Sequence, residues 1–180
     1  AVTVNESSAD ADFRVESNGN THMIFVDAGS DHVNFGTSTD HGGVVNVQTT
    51  DNTANIVLAS TDADSNAGPI LDFYRNSASP AVGDLLGRIN FRGRNDNSQD
   101  VDYAAWHARI FDETDGSEDG SLRADIMING SVIDVFTLYG NEVVVNESSG
   151  DVDFRVEGNN DSHALFVNAG ADVVSFGGMQ

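Results

Sequence analysis

From residue 12 to residue 16 the chain alternates: Phe13 and Val15 are apolar, and Asp12, Arg14 and Glu16 between them are charged. A period of two is the signature of a strand with one face against solvent. Asn18-Gly19 follows, and both residue types accept the positive φ that a two-residue hairpin turn demands. Met23, Ile24, Phe25 and Val26 then read as the return strand. Ala28-Gly29 marks a second turn, and Val33 with Phe35 predicts a third strand ending at Gly36.

The same pattern returns near the end of the chain. Val4 to Gly36 aligns with Val145 to Gly177 without a gap, 21 of 33 positions being identical at an offset of 141. Phe154 and Val156 repeat the first alternation, and Asn159-Asn160 stands where Asn18-Gly19 stood. A unit this short, with so few apolar side chains, buries little by itself. It needs neighbours, either copies along a fibre or other chains around an axis. Because the start of one chain resembles the end of another, end-to-end stacking into a fibre is also expected to be open to it. Ala1 is not Met, which suits an excerpt or a processed chain.

Between the repeats the pattern stays β-like. Leu71-Asp72-Phe73-Tyr74 predicts one strand and Leu86 to Phe91 another, with Ile89 and Phe91 sharing a face. Tyr103 to Phe111 places Ala104, Trp106, Ala108 and Ile110 together, a face that reads as core. Leu122, Ala124, Ile126 and Ile128 share a face, and Asn129-Gly130 turns directly into Val132 to Leu138. No stretch shows a capped 3.6-residue period. The expected fold is all-β: short-strand hairpin repeats at 1–41 and 142–180 flank a central antiparallel β-sandwich or jelly-roll-like domain at 42–141.

Composition narrows the function. The 180 residues carry 29 Asp and Glu against 8 Lys and Arg, a formal charge of −21, and all eight cations are Arg. Nucleic acid is not an expected partner, because a polyphosphate backbone is bound by clustered cations. No apolar run approaches the roughly 20 residues of a membrane helix, so membrane insertion is not expected. Without cysteine there is neither a disulfide nor a Cys-ligated metal. The carboxylates either hold divalent cations or keep a surface hydrated in salty water, and solvation is the favoured reading. Acidic positions 6, 10, 12, 16 and 31 recur at 147, 151, 153, 157 and 172, which ties part of the charge to the duplicated unit.

Two strings, VNESSGDVDFRVEGNNDSHALFVNAGADVVSFG and GDLLGRINFRGRNDNSQDVDYAAWHARIFDETDGSEDGSL, resemble segments of tailed-phage tail fibres and related virion appendage proteins. There, DFRVES…THALFVDAG…VGIGT modules recur beside GDxLGRIxFxG…YAxIxAxIxDxTDGSEDGxL domains. The resemblance covers most of the chain. It implies a β-structured homotrimer that projects from a virion or extracellular surface, associates with other virion tail proteins and contributes to attachment at a host receptor or glycan. The copies end in Asn34-Phe35-Gly36-Thr37 and Ser175-Phe176-Gly177-Gly178, where the family often has Val-Gly-Ile-Gly-Thr. The missing Lys is a second departure, and it suits a halophilic host or a microbial surface filament using the same modules.

Several residue groups invite a chemical role. Asp115, Ser117 and Asp119 supply oxygen at positions 1, 3 and 5 of a Ca²⁺-type loop with Gly120 at 6, but Ile126 stands where a closing Glu belongs. Asp62, Asp64 and Asn66 repeat the spacing, with Gly68 one place late. Polar turns are the expectation for both, and the resemblance makes the first a hairpin connection; Ca²⁺ is the only cofactor worth weighing. His22 and His163 match in the two copies and on a threefold axis would bring three imidazoles together, although neither has a second ligand nearby in sequence. Arg14 and Arg155 are expected to pair with carboxylates.

Phe13, Phe25, Phe35, Phe154, Phe166 and Phe176 are candidates for packing between chains around an axis. Tyr74, Tyr103 and Tyr139, with Trp106, are the aromatic candidates for glycan contact in a carbohydrate-binding reading. Asn129-Gly130-Ser131 and Asn160-Asp161-Ser162 are glycosylation triplets. Catalysis is not expected: the sequence has no Gly-x-Ser-x-Gly turn, HExxH or phosphate-binding loop, and among 29 carboxylates some pair will always mimic a glycosidase. A depolymerase is therefore the least favoured reading.

Overall fold

The computed structural model describes residues 3–177, which are all-β and contain no helix. The chain divides into two compact units, Ala1–Leu71 and Asp72–Gln180.

The first unit holds a four-stranded sheet. Strands β1 (Phe13–Val15), β2 (Ile24–Asp27) and β3 (His32–Phe35) form an antiparallel meander, and β4 (Val45–Val47) adds in parallel to the outer edge of β3. The parallel addition is the unexpected element, since two strands running the same way usually need a longer crossover than residues 36–44 provide. Local bonds hold this short crossover. Asp40 accepts the Gly42 N–H at 2.6 Å and lies 3.1 Å from His32 Nδ1, while Asn46 Nδ2 donates to Gly43 O. Gly36 has a φ of +81°, and a Cβ there would stand 2.4 Å from the Gln48 carbonyl oxygen, so only glycine fits.

The second unit holds two sheets. Strands β5 (Leu85–Arg94), β6 (Asp100–Asp112), β7 (Asp119–Ile128), β8 (Ser131–Leu138) and β9 (Val143–Val145) form a continuous antiparallel meander. Asn129 and Gly130 both take positive φ, 49° and 79°, as the two-residue turn between β7 and β8 requires. Strands β10 (Phe154–Val156), β11 (Leu165–Asn168) and β12 (Val173–Phe176) repeat the β1–β3 meander in the same register.

The expected strand at Leu71–Tyr74 is irregular chain instead. A strand persists only where its backbone groups find a ladder partner, and among the described residues none pairs with it. Phe73 packs over Gly87 of β5, where a Cβ would meet its Cβ at 2.6 Å, and Arg75 ties this segment to Asp84 at 3.0 Å.

The duplicated turns show what the recurring polar residues do. Asn5 and Asn146 each bond both ways with a residue four places on, Ala9 and Gly150. Asp12 and Asp153 accept the backbone N–H of Ala28 and Ala169, at 3.0 and 2.9 Å. Arg14 and Arg155 pair with Glu16 and Glu157, both at 2.6 Å and both exposed. Of the recurring acidic positions, 12 and 153 fix turns, and 16 and 157 pair with arginine.

Candidate functional site

Register assigns every strand residue to a face, and in all three sheets the two faces differ in kind. In the five-stranded sheet one cross-strand row runs Arg88, His107, Arg123, Thr137, and the next runs Asn90, Ala105, Asp125, Asp134. Over β6 to β8 these rows are the shielded side: His107 is 3% exposed, and Ala105, Asp134 and Thr137 are buried with it, while Arg88 and Asn90 on the outer strand β5 are exposed. Their polar groups engage one another, although His107 Nε2 and Arg123 Nε make no hydrogen bond among the described residues. Arg109 Nε donates to His107 Nδ1 at 3.3 Å, and His107 Nε2 lies 3.1 Å from Asp125. Arg123 meets Asp134 at 3.2 Å and Tyr139 Oη at 3.1 Å, and the Thr137 hydroxyl sits 2.8 Å from both Asp134 oxygens. Tyr139 also donates to Glu147 and packs on Phe111; loss of hydration pushes its phenol pKa up.

The opposite rows run Ile89, Trp106, Ala124, Phe136 and Phe91, Ala104, Ile126, Ile133. Here Trp106 is 41% exposed and Phe91 53%, with Ile89, Leu122 and Ile126 exposed alongside. The face that reads as core in the sequence is thus the face left open. An apolar hollow of about 250 Å³ is set into it, lined by Phe73, Leu86, Gly87, Ile89, Trp106 and Leu122 among others.

The repeats have the same asymmetry. Phe13, Val15, Ile24, Val26, Val33 and Phe35 share one face, and Arg14, Phe25 and Asn34 the other. The six phenylalanines expected to converge therefore separate into two groups. Phe13, Phe35, Phe154 and Phe176 lie on the open faces, each more than a third exposed. Phe25 and Phe166 are turned the other way, against the edges of His22 and His163, with ring centroids 5.3 and 4.9 Å apart. Phe166 is buried within its own chain. A recurring hollow opens on the apolar side of each repeat, lined by Val4, Ala11, Phe13 and Val26 in the first and by Val145, Val152, Phe154 and Val167 in the second.

The only buried apolar side chains among the described residues are Ala105, Ala124 and Phe166. Two alanines and one phenylalanine are far less than the core of a domain this size.

The other candidates are placed apart. Asp115 and Ser117 lie in the turn between β6 and β7, where the Ser117 N–H and hydroxyl both donate to Thr114 O and Gly116 N–H donates to Glu118. Asp119 begins β7 opposite Asp112, whose pKa is held down by the Thr114 N–H. Asp62, Asp64 and Asn66 form consecutive side-chain turns: Asp62 accepts the Asp64 N–H and Asp64 the Asn66 N–H. Among the described residues no three of His, Asp and Glu gather as a metal site. His22 and His163 each bond the preceding hydroxyl, Thr21 or Ser162.

Tyr74 is largely exposed in the irregular segment, Tyr103 lies over Gly93, and Tyr139 is engaged with Arg123, so the three tyrosines do not form one platform. Sequence reasoning missed β4 and β9, each a three-residue valine-rich strand, and missed that the outward face is the apolar one. Alternation reveals two unlike faces and is silent about which of them the chain covers itself. Comparison with known proteins found no family model, no curated sequence and no solved structure that matches the chain.

Proposed function

We propose that this chain is a structural segment of an extracellular viral tail fibre or spike, built to self-associate and contributing to host attachment. The observation that carries the reading is the orientation of the sheets: the shielded faces are bonded within the chain, and the apolar faces stand open. Contiguous apolar surface of more than a few hundred Å² marks an interaction site. Five exposed large side chains around Trp106 offer on the order of 500 Å², and the repeats add more. At a net charge of −21, copies of the chain repel one another except where such an uncharged face brings them together.

The homotrimer implied by the resemblance fits this need. Apolar faces from neighbouring copies then close on one another as the two layers of a sandwich, so that the layered core forms between chains. Other virion tail proteins would continue the fibre at its ends. A microbial surface filament built from the same modules uses the same assembly.

Sedimentation of Trp106→Asp tests the reading. The variant is expected to fall to single-chain mass, and a variant that keeps the native mass contradicts it. A second reading, a carbohydrate-binding module in an adhesin, is favoured by the exposure of Trp106 beside its hollow. A glycan-array signal lost in Trp106→Ala but kept in Phe13→Ala supports it.

A further inference from the structure

Seven of the eight arginines have a carboxylate within 4.0 Å. Arg109 has none among the described residues, in a chain that carries 29 Asp and Glu. Its one side-chain bond among those residues runs from Nε to His107 Nδ1 at 3.3 Å.

Register accounts for the exception. Arg92 and Arg94 stand across the β5–β6 ladder from Asp102 and Asp100, and Arg14 and Arg155 each have a Glu two places on. Arg109 stands across from Leu85 on β5 and Ser121 on β7, with His107 and Phe111 two places away along β6. None of these neighbours is an acid.

A fully exposed arginine needs no counter-charge, because water solvates it. Arg109 is half-buried, and a guanidinium keeps its charge when it leaves water, so an acceptor is worth more there. Nε is spent on His107, which fixes the plane of the group. The two terminal nitrogens form the fork that fits a carboxylate, and they have no acceptor among the described residues.

The charge around it is unusual for this chain. Arg88, Arg109 and Arg123 lie on the same face of β5, β6 and β7 as His107, and Asp125 and Asp134 are the only described carboxylates within 4.0 Å of any of these side chains. Three guanidiniums against two carboxylates leave a positive excess where the whole chain carries −21. The complement to that excess is an acid, and 29 carboxylates against eight arginines make a second copy of the chain the richest source of one.

We propose that Arg109 takes a carboxylate from a second copy, which makes the polar face of the β5–β9 sheet a contact between copies. The inference rests on the self-association proposed above and adds a charged contact on the face opposite the apolar one. The apolar face supplies most of the attraction, and the Arg109 pair fixes orientation.

The sequence has no lysine, so the test is specific. Arg109→Lys gives the full chain a single side-chain amine, and a carbodiimide joins that amine to a carboxylate in contact with it as an amide. The variant is first checked to keep the native sedimenting mass. The expected product is a two-chain band on a denaturing gel, absent from the unmodified chain treated alike, and peptide mapping names the acid. No such band at native mass, or a link confined to one chain, overturns the contact and leaves self-association standing. Single-chain mass in the unmodified protein overturns both.

A second comparison needs no amine, and it decides the matter if Arg109→Lys does not keep its mass. Arg109→Glu and Arg14→Glu make the same change of charge, the latter at an exposed pair. The concentration for half assembly is expected to rise about tenfold more in Arg109→Glu; equal values overturn the proposal. So does inorganic phosphate that binds the separated chains and not Arg109→Gln, with no two-chain band, since the site then serves a small oxyanion.

Discussion

On one face of the β5–β9 sheet, His107, Arg123, Asp125 and Asp134 engage one another and are shielded, with Arg88 exposed beside them; on the other, Ile89, Phe91, Trp106 and Ile126 meet solvent. A free-standing domain places these faces the other way round. Burying a charged pair costs desolvation that its attraction barely recovers, while exposing large apolar side chains forgoes about 1.5 to 3 kcal/mol apiece. The arrangement is favourable when the apolar face is covered by something outside the chain. The polar face then acts as a scaffold that sets register from within, and the apolar face supplies the association energy.

Substitutions on the two faces should therefore fail differently. The largest effect is expected from Trp106→Asp, which places a charge in the centre of the open face: assembly is lost, and the melting temperature becomes independent of protein concentration. A concentration-dependent melt in that variant breaks the contrast. Next is Asp134→Ala on the shielded face. It leaves the Thr137 hydroxyl without its carboxylate acceptor and Arg123 with only the Tyr139 hydroxyl, and is expected to cost about 2 to 3 kcal/mol by denaturant unfolding. That is below the cost for a fully buried pair because the Arg123 side chain keeps 26% of its exposure.

Asn46→Ala removes the donor to the buried Asn34 Oδ1 in the first repeat and is expected to cost about 1 to 2 kcal/mol. Ser175→Ala, at the equivalent place in the second repeat, removes a hydroxyl that has no hydrogen-bond partner among the described residues and should be near neutral. Arg14→Ala, in an exposed pair, is expected to change stability by less than about 1 kcal/mol.

Acid gives a gentler test of the short crossover. The Gly42 N–H, followed by His32, lowers the Asp40 pKa in the folded chain. Its contribution is therefore present above the ordinary carboxylate pKa and lost as pH falls through the lower folded value. Asp40→Asn should flatten that part of the acid limb of the stability curve, and a limb identical to the parent's assigns the acid loss to other carboxylates.

The strands of both repeats were legible because Phe13-Arg14-Val15 alternates and the second copy repeats it. The two-residue hairpin expected at Asn18-Gly19 is instead a longer connection, with Val15 pairing to Ile24 and neither turn residue at positive φ, because Ser17 and Asn20 close the loop with their own bonds. The β7–β8 hairpin was legible from Asn129-Gly130 alone. Strand β4 was not, because three residues pairing in parallel across a short crossover leave no periodic trace. Leu71-Asp72-Phe73-Tyr74 has the composition of a strand but no partner, and pairing is a property of the neighbour. The grouping of Phe25 with Phe13 and Phe35 failed on parity, since 25 pairs with 34 while 24 pairs with 35. The open face was the hardest feature to read, because the strand pattern of Ala104, Trp106 and Ala108 is the same whether a chain buries that face itself or against a copy.

Sedimentation equilibrium of the unmodified chain across a wide concentration range, at moderate salt and neutral pH, is the most direct test of the central claim. The proposed homotrimer, whose copy number comes from the resemblance, predicts a species at three times the 19.1 kDa chain mass, persisting to dilute solution and reduced to one chain by Trp106→Asp. A single-chain mass at every concentration, with Trp106 as accessible to a quencher in concentrated as in dilute solution, would contradict it.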